Sequence, residues 1–387
     1  MADQQTESWN LQRFINAVKV SPPWMLKKLL LGVKTITFFI SFLAGDVGRI
    51  SEAPAGAKWA LTLGRSSRRA PISFSPLPTS SDVWGACLRA YSATGLWPIS
   101  FSYPRRASTR AVEAKSFLCP VFPGHAYAFS DENDYIGTYR NYSFALTHKK
   151  GGWDCLRHLE ILYSGAVPYM PDAYLIPEFT MVHYPTKFLV EVASHVNRSG
   201  GRLGLDTRRA ALEYFNENLT SAAMARYLLR AVGQGAEPKV LFVDETAVSK
   251  PDYQSIFTLI GLKQLLGKKV SVAFPIDYIY DDWNGNSTDL YGRGFGYSRV
   301  VDQALKSSNE TVGKSLMFST RSLSKFDLIV VGSLTRNSAL AHQLLGKFPA
   351  SKTIWIHGED RGPSVSDISK FKELGVTVFA RELGDAS

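Results

Sequence analysis

Between Tyr142 and Asp172 the chain reads YSFALTHKKGGWDCLRHLEILYSGAVPYMPD, a short stretch that gathers cations, glycines, histidines and carboxylates. Lys149, Lys150 and Arg157 supply positive charge, and Gly151 and Gly152 let a backbone come close to a ligand. Glu160 offers oxygens that accept hydrogen bonds from sugar hydroxyls. His158 and Asp172 are the two candidates for a general base, a role that needs a side chain titrating near the working pH. Together these types suit a phosphate group carried on a sugar.

The elements that must hold them are legible. Tyr142–Thr147 is aromatic and apolar and predicts a buried strand. His148–Gly152 predicts a turn. Asp154–Ser164 has helical spacing, with Leu156, Leu159 and Leu162 or Tyr163 on one side and Arg157, His158 and Glu160 off it. Gly165 fits the helix stop, and Ala166–Met170 predicts a second strand. In an open α/β sheet an anion sits outside the strand's carboxyl end at the helix N-terminus, where free N–H groups and the dipole favour it. The reading requires that mouth to be open. Were it plugged by neighbouring side chains, or were Arg157 and Glu160 turned out to solvent, only a two-lobed α/β body would survive.

The stretch resembles the donor-binding segment of GT-B glycosyltransferases, the exostosin-like ones above all, which carry a strand, a Gly-containing loop, and an Arg-x-x-Glu-like helix ending in G-x-x-P. Arg157, Glu160, Gly165 and Pro168 occupy the matching places. A closer resemblance is to exostosin-like glycosyltransferase proteins of bacteria and large viruses, which share the KKGGWDCLRHLEIL string and several stretches downstream. The likeness runs from about Tyr127 onward, roughly two thirds of the chain. It implies that Arg157 and the loop serve a nucleotide diphosphate and Glu160 the ribose. It also implies transfer of a sugar from a nucleotide-sugar donor to a glycan or glycolipid acceptor.

Each residue also has a plain structural role. Arg157 suits a surface salt bridge, Glu160 a helix-face carboxylate, His158 a buried hydrogen-bonded ring, and Cys155 a packing position. Lys149 and Lys150 are adjacent, so on an extended segment only one of them reaches a given phosphate. Further along, Asp244, Glu245, Gly358, Glu359 and Asp360 follow predicted strands, where α/β ligands bind. Arg293 in the glycine-rich YGRGFGYS loop is an expected anion contact. No Asp-x-Asp signature stands at a strand end, so metal-independent transfer without a resident cofactor is expected.

Composition bounds the rest. The chain has 387 residues, 45% hydrophobic and 20% charged, which is the make-up of a folded protein and excludes a disordered one. A net charge of +10 favours anionic partners, with nucleic acid ranked low because no recognition motif accompanies it. Three cysteines lack metal spacing. Five Asn-x-Ser/Thr sequons matter only in a secretory lumen.

Three segments are expected. Residues 1–56 hold a linker and an amphipathic helix over 24–44, where Leu26, Leu29, Leu30, Val33, Ile36 and Ile40 recur at helical spacing. That helix packs on the protein's own body or lies on a membrane surface, with a true span ranked third. The chain is accordingly placed in the cytoplasm or at a membrane, a secretory-lumen type II anchor being the further option. Residues 57–235 predict a Rossmann-like domain carrying the donor motif, with a strand over Trp97–Tyr103 and a helix over Arg208–Gly233, and 236–387 a second one, since strands and helices alternate from Val240 to Ala380. Two Rossmann-like parallel-sheet domains facing a cleft make an α/β, GT-B-like architecture. Here the donor-type unit comes first, the reverse of the usual order, which leaves the acceptor role of the second domain open.

Overall fold

The computed structural model describes residues 74–384, apart from 109–112, 122, 124–128, 200–202, 236, 307–310 and 314–318. The expected helix over 24–44 and the linker after it lie outside the described residues. Among the described residues, no helix is long and apolar enough to cross a membrane.

The described residues form an α/β fold built on two parallel sheets. The first part supplies α1 (Ser80–Thr94), β1 (Trp97–Pro98), β2 (Ser116–Leu118), α2 (Glu132–Arg140), β3 (Tyr142–Leu146), α3 (Leu156–Ser164) and β4 (Val167–Tyr169). Three helices follow, α4 (Thr186–Ser199), α5 (Leu205–Asn218) and α6 (Ser221–Ala231). Next come β5 (Val240–Val243), α7 (Tyr253–Leu266), β6 (Val270–Val272), α8 (Thr320–Leu323) and β7 (Leu328–Val331). The last elements are α9 (Ser338–Leu345), β8 (Thr353–His357), α10 (Val365–Leu374) and β9 (Thr377–Ala380).

The larger sheet has the order β1-β9-β8-β7-β5-β6, every pair parallel. Its strands are short apolar runs such as VLFV and LIVV, as a sheet buried on both faces demands. Leu241, Val243, Ile329, Val331 and Trp355 share one face with Leu340 and Leu344 of α9 and Phe371 of α10. On the other face Phe379 meets Tyr227 of α6, with ring centroids 5.8 Å apart. The smaller sheet is β2-β3-β4, also parallel, with Ala145, Ile161 and Ala166 packed among Tyr135, Tyr139 and Phe295.

Both sheets lie in one compact unit, residues Ala70–Ser194 and Arg202–Ser387. β1, expected in the 57–235 segment, crosses the boundary drawn at 235: it pairs with β9 as the edge of the larger sheet. It is also shorter than the strand expected over Trp97–Tyr103. After it the chain leaves the sheet, and Tyr103 instead brackets the junction of α5 and α6, taking a bond from Ser221 N and giving one to Leu219 O, each at 2.9 Å. That junction splits the single helix expected over Arg208–Gly233. Thr220 supplies the physical reason: its side chain accepts from Ala223 N and starts a new helix.

Candidate functional site

β3 ends at Leu146, and the turn beyond it is tight: Lys150 N donates to Gly152 O at 3.1 Å. Helix α3 starts after Cys155, whose side chain makes no cap, and stops at Gly165 in the left-handed conformation, φ 88°. β4 then returns beside β3. Lys149 lies over the Trp153 ring, 5.0 Å from its centroid.

The Asp154 amide, just past this turn, already holds a carboxylate. Asp154 N donates to Glu382 Oε1 at 3.0 Å. A Cβ on Gly152 would lie 2.4 Å from the same oxygen, and one on Gly151 would lie 1.9 Å from an Asp360 oxygen. Glu382 is the second residue after β9, and Asp360 the third after β8, so the carboxyl ends of the two sheets meet here. Arg381 binds the position together. Its Nη1 donates to Asp154 O at 2.5 Å and Glu382 Oε1 at 3.3 Å, its Nη2 to Asp360 Oδ1 at 2.5 Å, and its Nε to Gly358 O at 2.9 Å. The guanidinium also stacks on Phe101, 4.4 Å from the ring centroid. Asp154 in turn accepts from Phe101 N at 2.7 Å and from the Tyr184 hydroxyl at 3.0 Å.

Glu382 is 1% exposed, and its Oε2 is buried with no hydrogen-bond partner. Burial raises its carboxyl to about 7, against the pull of the Asp154 amide and Arg381. Burial likewise raises Asp154 to about 6, with Arg381 opposing. Among the residues singled out from sequence, Gly151, Gly152, Gly358 and Asp360 meet at this position. The open mouth that the phosphate reading required is therefore corrected: the protein's own carboxylate fills it.

Two further corrections follow from α3. The expected polar side of the helix is buried, because the smaller sheet covers one side while α2 and α5 also pack on α3. His158 is 0% exposed; its Nε2 donates to Trp153 O at 2.9 Å and its Nδ1 accepts from Thr147 Oγ1 at 3.0 Å. With both nitrogens engaged and burial pulling its pKa down to about 4, it is not a general base. Glu160 is 2% exposed, and its Oε2 accepts from the Tyr135 hydroxyl at 2.7 Å. It faces a buried tyrosine rather than a ribose. Arg157 is half-buried on the same helix. Cys155 keeps a thiol raised to about 11 by burial, in line with packing rather than nucleophilic attack.

Asp172 stands two residues past Met170, half-buried, with Oδ1 lacking a partner. Arg293 lies in the short turn Tyr291–Gly294 at φ 59°. A Cβ on its neighbour Gly292 would lie 2.0 Å from the Tyr253 hydroxyl, so the turn rests on α7. Among the described residues no hydrogen bond or ion pair joins Arg293 to Glu382 or Arg381.

Sequence reasoning missed Asp154, Arg381 and Glu382. The signal for the last two was present: they follow the strand predicted to end at Ala380, the same kind of position that drew notice to Asp244 and Gly358.

The Glu160 carboxyl is raised to about 7 by burial, against the Tyr135 hydrogen bond and the nearby Arg157. The folded state thus holds a proton that the unfolded chain, at the ordinary 4.5, releases. This contribution is complete below about 4.5 and is lost as pH rises through about 7. Glu160→Gln should remove it, flattening the fall in stability across that window by up to ~1.4 kcal/mol per pH unit. Urea midpoints at a series of pH values check this; an unchanged slope counts against the burial.

Compared with family models, with curated proteins and with solved structures, the chain gives no match.

Proposed function

We propose that the chain is a glycosyltransferase of GT-B type, moving a sugar from a nucleotide-sugar donor to a glycan or lipid-linked acceptor without a metal ion. The observation that carries this reading is the convergence of both sheets' carboxyl ends on one anion position. Ligands of open α/β sheets sit outside those ends, and here Gly152 and Asp154 face Arg381 and Glu382. The two sheets then act as two lobes, and the position between them as their cleft.

Because Glu382 closes the mouth that was expected open, a donor must displace it: in this reading the carboxylate stands where a donor phosphate oxygen binds. Its raised pKa makes it a weak occupant near neutrality, and a diphosphate, with more charge and more oxygens, displaces it. The Asp154 amide and Arg381 then hold the diphosphate, with Lys149 and Lys150 on the adjoining turn. Preorganised donors of this kind stabilise a departing diphosphate. Asp172 stays the base candidate for the acceptor hydroxyl.

The same occupied position favours one rival, a non-catalytic nucleotide- or glycan-binding scaffold on this fold, since fold does not dictate activity. Thermal shift with uridine, guanosine, adenosine and cytidine diphosphates tests the binding step. One of them should raise the melting temperature, and Glu382→Gln should enlarge the shift by removing the competing charge, with affinity rising roughly tenfold. No shift in either protein ends the nucleotide reading. Hydrolysis of the matching sugar nucleotides then separates the enzyme from the scaffold, which binds without turnover.

A further inference from the structure

α1 packs beside β1, the edge strand of the larger sheet, with Val83, Cys87 and Ala90 as its buried side. Trp84, Leu88 and Tyr91 stand at i, i+4 and i+7, so they make one stripe along the flank next to that side. Leu88 is 44% exposed and Tyr91 43%, and Trp84 is half-buried. The rings are fixed from below. Tyr91 lies flat on Trp97 of β1, with ring centroids 4.4 Å apart and planes 16° from parallel. Trp84 also stacks on Trp97, at 5.6 Å, and meets Tyr227 of α6 edge-on at 6.1 Å. A flank that is ordered in advance loses little freedom when something binds it.

The charge that α1 and α6 place around this stripe is mostly positive. Arg230 of α6 lies over the Trp84 ring, 3.9 Å from its centroid. Arg226, one turn earlier, is exposed on the same side of α6, and Arg89 is exposed beside Leu88. α6 carries no carboxylate, and the only one on α1 is Asp82. Asp82 is turned back on its own cap, where it accepts from Thr79 N at 2.8 Å and from Thr79 Oγ1 at 2.7 Å. Three guanidiniums thus accompany an apolar stripe, with no other acid on either helix.

We infer that the α1–α6 flank is a docking face for a membrane surface rich in anionic lipid. The layering fits. Leu88 and Tyr91, the more exposed, enter the boundary between headgroups and acyl chains; Trp84 sits at headgroup depth, the level indoles prefer; and the three arginines meet lipid phosphates. Arginine suits this place because its apolar stem packs along the surface while its charge stays in the polar layer. A protein partner would have to set carboxylates against each arginine and apolar groups between them, whereas an anionic bilayer presents both everywhere. The net charge of +10 acts in the same direction. The inference goes beyond the transferase reading and does not depend on nucleotide binding at Glu382.

The test is co-sedimentation of the full chain with phosphatidylcholine vesicles, with and without phosphatidylserine. Binding should require phosphatidylserine and weaken as salt is raised. Arg226→Gln combined with Arg230→Gln should weaken it about thirtyfold, from about fivefold per charge. Leu88→Ser alters no charge and should weaken it roughly fivefold. All three positions are on the surface, so the variants should keep the parent's melting temperature, which separates lost docking from lost folding. Absence of binding to phosphatidylserine vesicles overturns the inference. So does binding that all three substitutions leave intact, which would place the contact elsewhere on the chain, residues 24–44 included. Binding lost in the arginine pair but untouched by Leu88→Ser overturns it too, since only a diffuse attraction of charge would remain. Self-association abolished by Leu88→Ser, in a protein that ignores vesicles, would give the stripe to a second copy instead.

Discussion

Replacing Arg381 with methionine is expected to lower the stability of the fold by ~3–5 kcal/mol, the loss seen when one partner of a buried ion pair is removed. The side chain is 2% exposed and serves four acceptors: the main-chain oxygens of Asp154 and Gly358, and the carboxylates of Asp360 and Glu382. Methionine fills much of the volume but leaves two buried acids, Asp154 and Glu382, without the cation that faces them. Their carboxyls, already raised by burial, then rise further. A raised acid favours the folded state at low pH and loses that advantage as pH climbs, so the damage should be smaller at pH 5 than at pH 8. Adding Glu382→Gln to Arg381→Met should restore part of the loss, since the two residues are in contact and their effects are not additive. Urea titrations of the four proteins in this cycle check the claim. A fall of less than about 1 kcal/mol at pH 8, the size expected for an exposed pair, would show that the cluster is solvated.

Gly261→Ala is expected to destabilise as well, by ~1–3 kcal/mol, and Gly261→Val by more. The reason is a backbone contact. A Cβ on Gly261 of α7 would lie 2.1 Å from Ser221 O and 2.6 Å from Ser221 C at the start of α6. Main-chain atoms cannot rotate away, so α6 must shift, and α6 is pinned by the Ser221 N bond to Tyr103 O. The gain of ~1 kcal/mol that alanine brings to a helix interior is too small to offset such an overlap. Gly137 in α2 is the control: a Cβ there meets nothing within 4 Å. Gly137→Ala should therefore stabilise by up to ~1 kcal/mol, opposite in sign to Gly261→Ala. The same sign for both, read from denaturation midpoints, would refute the tight α6–α7 approach.

Much of this architecture can be read in the residues. The alternation from Val240 to Ala380 marks every strand and long helix of the larger sheet's second part, because parallel strands buried on both faces are dense apolar runs. The unit β3, α3, β4 and its stop at Gly165 are equally plain. What stays hidden is long-range. Helical periodicity assumes one buried face, so it placed His158 and Glu160 toward a ligand when α2 and α5 pack against α3 as well. Nothing local to Gly152 announces that Glu382, far along the chain, supplies the carboxylate for the Asp154 amide. The α5–α6 break was missed because apolar residues keep recurring across it, although Thr220 is a good helix starter. The donor-type motif predicts the right strand, turn and helix, and the wrong occupant of the helix mouth.

The pairing of Trp97 with Phe379 sets an order of events during synthesis. β1 leaves the ribosome with nearly the whole described chain still to be translated before β9 appears. At ~5–20 residues per second it spends tens of seconds without its neighbour. Through that interval an apolar edge bearing Trp97 and Ile99 is open to other chains, as unpaired strand edges are. The short span of β1 and the missing amide hydrogen of Pro98 limit what a stray strand could grip. A brief, poorly templating edge therefore suits a strand whose partner arrives last.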